Sequence, residues 1–226
     1  MNTKSALIIF AREPRDGKVK TRLARDLPVR AVTRLYKAFI RDVIHAALQV
    51  PCTERFIFYD AAGGASIPFL RKAAMGFRLK KQAGKDLGER MLKAFEHCHK
   101  KGFNRVAIIG SDCVTLTAKD IEIAFRELRS HDCVLGPAKD GGYYLIAMCL
   151  PCRGIFQDVA WGTSLVLAQT LDNARALGKK VYLLHRRDDI DKIDDLRSFC
   201  GVAKGFPAAT FTQKILEQLT VPAQSS

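Results

Sequence analysis

Residues 5–22 read SALIIFAREPRDGKVKTR, and this stretch decides the fold class. It begins with a short apolar run rich in Ile and Leu that lies between charged neighbours. Such a run is typical of a strand buried in a parallel sheet. A polar turn that contains Gly17 follows at once. Because ligands of open α/β sheets bind beyond the carboxyl ends of the strands, this turn is the first candidate for a binding site.

The turn combines a glycine with cations that suit phosphate. A glycine lets the backbone approach a ligand closely, and an arginine can bind two phosphate oxygens at once. The turn is not a Walker motif, because the sequence lacks a second glycine at the required spacing before Gly-Lys-Ser/Thr. Taken alone, it fits a basic surface turn equally well. The candidate nucleotide- and phosphate-binding residues here are Ala11, Arg12, Gly17, Lys18, Lys20 and Arg22.

The length and composition of the chain indicate one globular domain. With 226 residues, 48% of them hydrophobic, we expect a single domain over residues 1–220 and a disordered tail over 221–226. No stretch approaches the roughly 20 consecutive apolar residues that a membrane helix needs. The apolar run 6–10 is also too short for the core of a signal peptide. We therefore expect a soluble, cytoplasmic protein that does not bind membranes.

The cysteines agree with a reducing compartment. The seven residues are an odd number, scattered and mostly inside apolar segments, which is typical of reduced thiols. Cys149 and Cys152 form the one close pair, without a second pair or a suitable histidine partner. We therefore do not expect a zinc site.

The formal net charge of +14 is concentrated near the start of the chain. Residues 1–41 contain eleven Lys or Arg and three Asp or Glu, which supply more than half of the excess. In nucleic-acid binders, basic residues are mixed with stacking aromatic residues along one face. Here the cations are instead concentrated in one turn. We therefore expect a polyphosphate partner and no specific nucleic-acid binding. Several charges between Arg30 and Arg41 also fit a solvated helix surface.

Strand and helix patterns alternate along the chain. The predicted strands cover residues 5–11, 54–59, 77–82, 105–110, 132–136, 143–148 and 180–185. The predicted helices cover residues 29–50, 67–74 and 90–101, and three more begin near Thr117, Thr163 and Asp194. This order implies a single-domain, three-layer α/β/α fold with a mainly parallel sheet.

Two aspartates follow predicted strands at the same edge of the sheet. Asp112 comes after the strand 105–110, and Asp191 comes after the strand 180–185. Carboxylates at this edge can hold a divalent metal ion that bridges two phosphates. Taken singly, each aspartate is better explained as a helix cap or a turn residue. Their pairing at one edge favours a metal site formed by both.

Two further turns add candidate residues for the nucleotide and the acceptor. Paired glycines in the turn 139–144 leave room for a substrate, and Asp140 can accept protons from sugar hydroxyls or amines. A plain tight turn is an equally good interpretation, and the only tryptophan, Trp161, can line a pocket or belong to the core. The candidate acceptor-binding residues are Asp140, Gly141, Gly142, Tyr143 and Trp161. The candidates for binding the base or ribose are Gln82, Gly88 and Arg90. The candidate catalytic residues are Asp140, Lys18 and Arg22.

Six segments that span most of the chain carry a family resemblance: FAREPRDGKVKTRLA (10–24), QAGKDLGERM (82–91), GSDC (110–113), GPAKDGGYYLIA (136–147), WGTS (161–164) and DIDKIDDL (189–196). In this order they resemble the bacterial glycosyltransferase-like proteins of the GT-A fold. These are often called nucleotide-diphospho-sugar transferases and are linked to arsenosugar biosynthesis. More distantly, the first segment looks like the phosphate loop of sugar-nucleotide pyrophosphorylases and molybdopterin guanylyltransferases. The last looks like the second metal motif of sugar cytidylyltransferases.

The resemblance implies a GT-A sheet that binds a nucleotide through the first loop and the turn 82–90. It also implies Mg²⁺ or Mn²⁺ between Asp112 and Asp191. The chain departs from the family at Val114, where a proline usually follows the cysteine. A proline would preset the backbone beyond the metal ligand, so its loss weakens the implied geometry but leaves the carboxylate in place.

Three functions remain open at this point. The first is glycosyl transfer from a nucleotide-diphosphate sugar to a small-molecule acceptor, with the metal neutralising charge on the leaving diphosphate. The second is nucleotidyl transfer, in which a phosphorylated acceptor attacks a nucleoside triphosphate and releases pyrophosphate. The cations Lys18 and Arg22 support this second function, because they exceed what a diphosphate sugar needs. The third is a non-catalytic nucleotide or nucleic-acid binder. The oligomeric state is also open, a homodimer included.

Overall fold

The strand predicted over residues 5–11 lies in the middle of a seven-stranded sheet. In the computed structural model, which describes residues 4–60, 66–205 and 209–219, this strand is β1, Ser5–Arg12. It pairs in parallel with β2, Glu54–Asp60, and with β4, Arg105–Gly110. The residues Ala6, Leu7, Ile8 and Ile9 of β1 have no exposed surface, which explains the unbroken apolar run.

The remaining elements follow the predicted alternation. The other strands are β3 (Arg78–Lys81), β5 (Cys133–Pro137), β6 (Tyr143–Met148) and β7 (Val181–Leu183). The helices are α1 (Val29–Gln49), α2 (Pro68–Ala73), α3 (Leu87–Lys100), α4 (Ala118–Glu127), α5 (Val166–Ala176), α6 (Ile193–Val202) and α7 (Thr210–Leu216). The strand order is β3-β2-β1-β4-β6-β5-β7. The predicted α/β architecture with a mainly parallel sheet is confirmed.

Alternate residues of β1 point into two separate cores, one on each face of the sheet. Leu7 and Ile9 pack with buried residues of α1, α4 and α6. Ala6 and Ile8 pack with buried residues of α3 on the opposite face. Side chains alternate between faces along a strand, so one apolar run supplies both cores. The result is the predicted three-layer arrangement.

One strand runs against the others. β6 is antiparallel to both β4 and β5. The reason is its connection, because only residues 138–142 join β5 to β6 and a turn this short permits only an antiparallel pair. The remaining pairs are parallel, so β1, β4 and β5 all end at one edge of the sheet. The turn that contains Asp140 therefore lies at the same edge as the basic loop and Asp112.

Several boundaries differ from the prediction. α3 begins three residues early, because Asp86 caps it by accepting a hydrogen bond from the backbone N–H of Glu89 at 2.8 Å. α5 begins at Val166 instead of near Thr163, and α7 was not predicted. The capping box of Thr117 is present as expected. The break at Gly63-Gly64 and the tail 221–226 lie outside the described residues.

The described part of the chain contains no helix whose length and hydrophobicity would let it cross a membrane. All seven cysteines fall within the described residues and are free thiols, as expected. Burial raises the pKa of Cys98 to about 12, so this residue stays protonated near neutral pH. A buried, protonated thiol fills space and is a poor nucleophile.

A buried carboxylate joins α7 to α1. Asp42 on α1 is only 2% exposed. It accepts hydrogen bonds from the backbone N–H groups of Phe211 and Thr212, each at 2.8 Å, and from the Thr212 hydroxyl. Burial raises the pKa of Asp42, although these three bonds favour its charged form. The attachment of α7 therefore depends on partners for one buried carboxylate.

We predict that Thr212→Val lowers the free energy of unfolding by about 1.5–3 kcal/mol, because it removes a hydrogen bond to a charged group. Urea denaturation measures the change. Thr33→Val is the matched control, since the Thr33 hydroxyl is also buried in a helix but donates only to the carbonyl of Val29 in its own helix. Equal effects of the two substitutions would show that the bond from the Thr212 hydroxyl to Asp42 adds nothing to the attachment of α7.

Candidate functional site

The basic loop after β1 is held by two apolar side chains that enter the core. Val19 is 4% exposed and Leu23 is fully buried. Between them, Lys20 adopts a positive φ of 47°, which is uncommon for a residue other than glycine. The side chain of Lys20 is only 7% exposed, whereas Lys18 is exposed. Of these two lysines, Lys20 is therefore the one directed inward.

The Lys20 ammonium lies between the two aspartates that were predicted as metal ligands. Its Nζ donates to Asp112 Oδ2 at 2.8 Å and to Asp191 Oδ1 at 3.5 Å. Arg22 Nη1 donates to the other oxygen of Asp191 at 2.9 Å. Burial lowers the pKa of Lys20, but the aspartates outweigh it and the net shift is upward. Lys20 is therefore charged, and the two carboxylates face one point.

Asp112 lies two residues beyond the end of β4 and is positioned by contacts at its own backbone and at the preceding Ser111. The backbone N–H of Ile190 approaches the Asp112 carbonyl at 3.4 Å. The hydroxyls of Ser111 and Tyr36 lie 2.9 Å apart, and the Tyr36 oxygen also accepts the backbone N–H of Arg12 at 3.1 Å. Tyr36 therefore links the end of β1 to the end of β4. Val114, at the family's proline position, is 2% exposed and packs in the core.

Asp191 is placed by a chain segment that runs beside β5 beyond the end of β7. The backbone N–H of Arg187 donates to the carbonyl of Pro137, and its guanidinium forms an ion pair of 2.8 Å with Asp120. The side chains of Arg187 and Asp120 are 19% and 7% exposed, so this pair is well shielded. Asp195 Oδ2 then accepts the backbone N–H of Asp191 at 3.1 Å. These contacts fix the position of Asp191 beside Asp112.

Asp189 belongs to the same cluster and was missed by the sequence interpretation. It lines the cavity described below, and its Oδ1 atom is buried without a hydrogen-bond partner among the residues that the structure describes. Burial and the neighbouring Asp112 raise the pKa of Asp189 well above its usual range. Ile190, which follows it, is buried in the core. In an extended segment, a core residue at 190 would direct residues 189 and 191 to the opposite side, a signal that could have identified Asp189.

The turn between β5 and β6 presents Asp140. The backbone N–H of Gly142 donates to Asp140 Oδ1 at 2.9 Å. Gly141 has a φ of 89°, and a Cβ there would lie 2.2 Å from the carbonyl oxygen of Ser164. The Gly141 carbonyl also accepts the backbone N–H of Leu167 at 2.9 Å. Glycine at 141 therefore lets this turn pack directly on the segment that precedes α5.

Trp161 lies on the start of α3. A Cβ added to Gly88 would stand 2.5 Å from Cζ2 of the indole, so only a glycine fits beneath the ring. The rings of Phe156 and Trp161 are 6.4 Å apart between centroids. Gly88, predicted to bind the nucleotide, is buried against Trp161 and supports the indole.

Gln82 and Arg90 lie near the end of β2. Gln82 Nε2 donates to the carbonyl of Phe58 at 2.9 Å. Arg90 forms an ion pair of 3.2 Å with Asp60, the last residue of β2, and Arg12 approaches the same carboxylate at 3.6 Å. Asp60 was not among the predicted residues, although it ends a strand at the site's edge of the sheet. It holds two of the candidate cations in place.

These segments enclose a cavity of about 700 Å³, within the size range of small-molecule sites. Most predicted site residues line it, but Gly17, Lys18, Gly88 and Gly141 do not. The predicted residues in its lining are Ala11, Arg12, Lys20, Arg22, Gln82, Arg90, Asp112, Asp140, Gly142, Tyr143, Trp161 and Asp191. The lining combines cations and aspartates with aromatic and glycine residues, so the cavity can accept an anionic and a ring-shaped group together.

The donor set for a metal ion is incomplete in the protein alone. Among residues 4–60, 66–205 and 209–219, no three His, Cys, Asp or Glu side chains form a group that could hold a metal ion. Asp112 and Asp191 offer two carboxylates, 34% and 37% exposed. Mg²⁺ commonly binds through one or two carboxylates plus substrate phosphates, so two protein ligands suffice when a phosphate completes the set.

The fold occurs in solved structures of transferases. A Desulfovibrio desulfuricans protein, named provisionally as a nucleotide-diphospho-sugar transferase, matches with a TM-score of 0.84 and 28% identity. The match covers 96% of this chain and 98% of that protein. The inositol-1-phosphate CTP transferase of T. maritima has a TM-score of 0.56 and 12% identity, over 97% of this chain and 99% of that one. At this identity, the second likeness concerns the fold alone.

A third structure has the same fold. It is the 4-diphosphocytidyl-2C-methyl-D-erythritol synthase of Anaerococcus prevotii, with a TM-score of 0.58 and 9% identity, over 89% of this chain and 96% of that one. No curated protein sequence matches the chain. A family model described as "Uncharacterized protein conserved in bacteria (DUF2064)" matches residues 43–163, more than half of the chain. The chain therefore belongs to the DUF2064 family.

Proposed function

We propose that this protein is a metal-dependent glycosyltransferase that uses a nucleotide-diphosphate sugar as donor and a small molecule as acceptor. One observation carries the proposal: Asp112 and Asp191 converge on the Lys20 ammonium at a cavity wall that also bears Arg22. Carboxylates and cations at the carboxyl ends of parallel strands suit a metal–diphosphate group. The similarity to a provisionally named nucleotide-diphospho-sugar transferase at 28% identity supports the same reading.

Asp112 and Asp191 would hold Mg²⁺ or Mn²⁺, and their chemistry fits such an ion. Both supply hard carboxylate oxygens and are partly open to the cavity. Asp189 adds a buried oxygen that has no hydrogen-bond partner in the described part of the chain. When bound, the ion would neutralise negative charge on the leaving diphosphate. Lys20 and Arg22 would stabilise the same charge from the loop side.

The remaining lining residues have roles that follow from their positions. Ala11, Arg12, Gln82 and Arg90 lie around the ends of β1 and β2, where they would hold the nucleoside. Asp140, at the end of β5, would orient the acceptor. Tyr36 would act as a positioning residue, because its hydroxyl touches both Arg12 and Ser111.

Nucleotidyl transfer is the alternative, and the charge distribution disfavours it. Its support in the sequence was the surplus of cations at Lys18 and Arg22. Lys18 does not line the cavity, so Arg22 is the only one of these two cations that can reach a ligand there. A nucleoside triphosphate and a phosphorylated acceptor together carry more negative charge than a diphosphate sugar and would need more cations at the cavity. Incubation with each nucleoside triphosphate, Mg²⁺ and sugar phosphates separates the two functions, because robust release of pyrophosphate would overturn glycosyl transfer.

We predict that Asp112→Asn and Asp191→Asn each abolish the dependence of nucleotide-diphosphate binding on Mn²⁺. An amide lacks the charge that a divalent ion needs from these positions. Titration calorimetry with UDP and GDP, each with and without Mn²⁺, measures the effect. Asp188→Asn is the matched control, since Asp188 lies in the same segment but does not line the cavity. Unchanged metal dependence in both site variants would refute the assignment.

We predict that Arg22→Gln raises the Kd for the nucleotide diphosphate by roughly 10-fold or more, because a hydrogen bond to a charged group contributes about 1.5–3 kcal/mol. The same calorimetry provides the measurement. Arg25→Gln serves as the control, since Arg25 is exposed on the same segment and outside the cavity lining. If Arg22→Gln weakens binding no more than Arg25→Gln does, Arg22 does not contact the phosphates.

A further inference from the structure

Part of the cavity lining is formed by two segments that pack against each other, the turn after β5 and the segment before α5. We call it the acceptor wall and define it by Asp140, Gly142, Tyr143, Trp161, Gly162, Thr163 and Ser164. The backbone N–H of Leu167 donates to the Gly141 carbonyl at 2.9 Å. Gly141 also packs against the backbone of Ser164 so closely that a Cβ would not fit. The wall is therefore a fixed surface of the fold.

Aromatic and apolar groups make up much of this surface. The Trp161 indole lines the cavity and rests on Gly88 and Phe156. Tyr143 also lines the cavity, but its hydroxyl oxygen is buried, so the phenol cannot offer that oxygen to a ligand. Leu87 lies nearby in the lining and is 45% exposed. Flat apolar surface of this kind suits a ring that stacks on an indole.

The charge of the acceptor wall is opposite to that of the loop. Asp140 is the one acidic or basic side chain among the residues that define the wall. The Lys and Arg residues of the described lining lie outside this set, and they are Arg12, Lys20, Arg22, Arg90 and Lys192. Four of these five cations already form ion pairs with Asp60, Asp112 or Asp191. The neighbouring Lys139 lies 3.7 Å from Asp188, outside the lining. The acceptor wall itself therefore offers a phosphate one carboxylate and no cation.

We propose that the acceptor wall binds a ring compound that bears no phosphate, either neutral or positively charged, with its ring on Trp161 and a hydroxyl or ammonium group at Asp140. Stacking on an indole also favours a cation through its interaction with the π face. This inference rests on the proposed glycosyl transfer and narrows its acceptor. The acceptor hydroxyl oxygen bonds to the anomeric carbon of the donor sugar. The bond from that carbon to the diphosphate breaks, the nucleotide diphosphate leaves with the electron pair, and the hydroxyl proton passes to Asp140.

The chain carries its own reporter for a test, because Trp161 is its only tryptophan. Three compounds share one ring and differ in charge: glucosamine, methyl glucoside and glucose 6-phosphate. The full chain is titrated with each, and the tryptophan fluorescence is followed. We expect saturable changes with the first two and binding of glucose 6-phosphate that is roughly tenfold weaker or more. Asp140→Asn should reduce this discrimination, whereas Asp172→Asn, an exposed aspartate outside the cavity, should preserve it.

Several results would overturn the inference. One is binding of glucose 6-phosphate that is tighter than that of methyl glucoside, which would favour a phosphorylated acceptor. Another is that Asp140→Asn leaves the relative affinities for the three compounds unchanged. A third is that none of the three compounds causes a saturable change in tryptophan fluorescence. Calorimetry with UDP or GDP and Mn²⁺ on the same sample distinguishes a failure of the acceptor-wall inference from a failure of the proposed function. If the nucleotide binds and the ring compounds contradict the expectation, only the acceptor wall is wrong. If no nucleotide binds, the proposed function fails as well.

Discussion

The ion pairs of Lys20 with Asp112 and Asp191 join parts of the chain that are 92 and 171 residues away from the lysine. They connect the loop after β1, the turn after β4 and the segment before α6 at one edge of the sheet. A lysine buried this deeply is costly unless carboxylates compensate it, and carboxylates this close to each other need a cation between them. Each charge is therefore tolerable only because the others are present. The local geometry of the cavity depends on this mutual compensation.

The parallel sheet explains why such distant residues meet. β1, β4 and β5 end at one edge, and each end continues into a polar turn. The ends are then joined by short links: Tyr36 between Arg12 and Ser111, and Arg187 between Pro137 and Asp120. The resulting cavity lining combines charged side chains with the ring surface of the acceptor wall. This combination agrees with a substrate pair in which one partner carries the phosphates and the other carries none.

Much of this arrangement could be predicted from the sequence, because buried strands and the polar turns that follow them are local patterns. The run 105–110 before Asp112 is such a case, and the structure has β4 with the same bounds. Features set by tertiary contacts could not be predicted. That Lys20 points inward and Lys18 outward depends on a positive φ and on Val19 in the core. Asp60 acquires its role only because Arg12 and Arg90, from other elements, reach it. The antiparallel direction of β6, by contrast, could have been predicted, because the predicted strands 132–136 and 143–148 leave only a short turn between them.

The most direct measurement is an anomalous diffraction map of a crystal grown with Mn²⁺ and a nucleotide-diphosphate sugar such as UDP-glucose or GDP-mannose. We expect one manganese peak in contact with the carboxylates of Asp112 and Asp191 and with an oxygen of the diphosphate, while the acceptor wall with Trp161 and Asp140 stays open beside the sugar. A diphosphate bound in the cavity without manganese at these carboxylates, or manganese bound elsewhere, would show that Asp112 and Asp191 do not form the metal site.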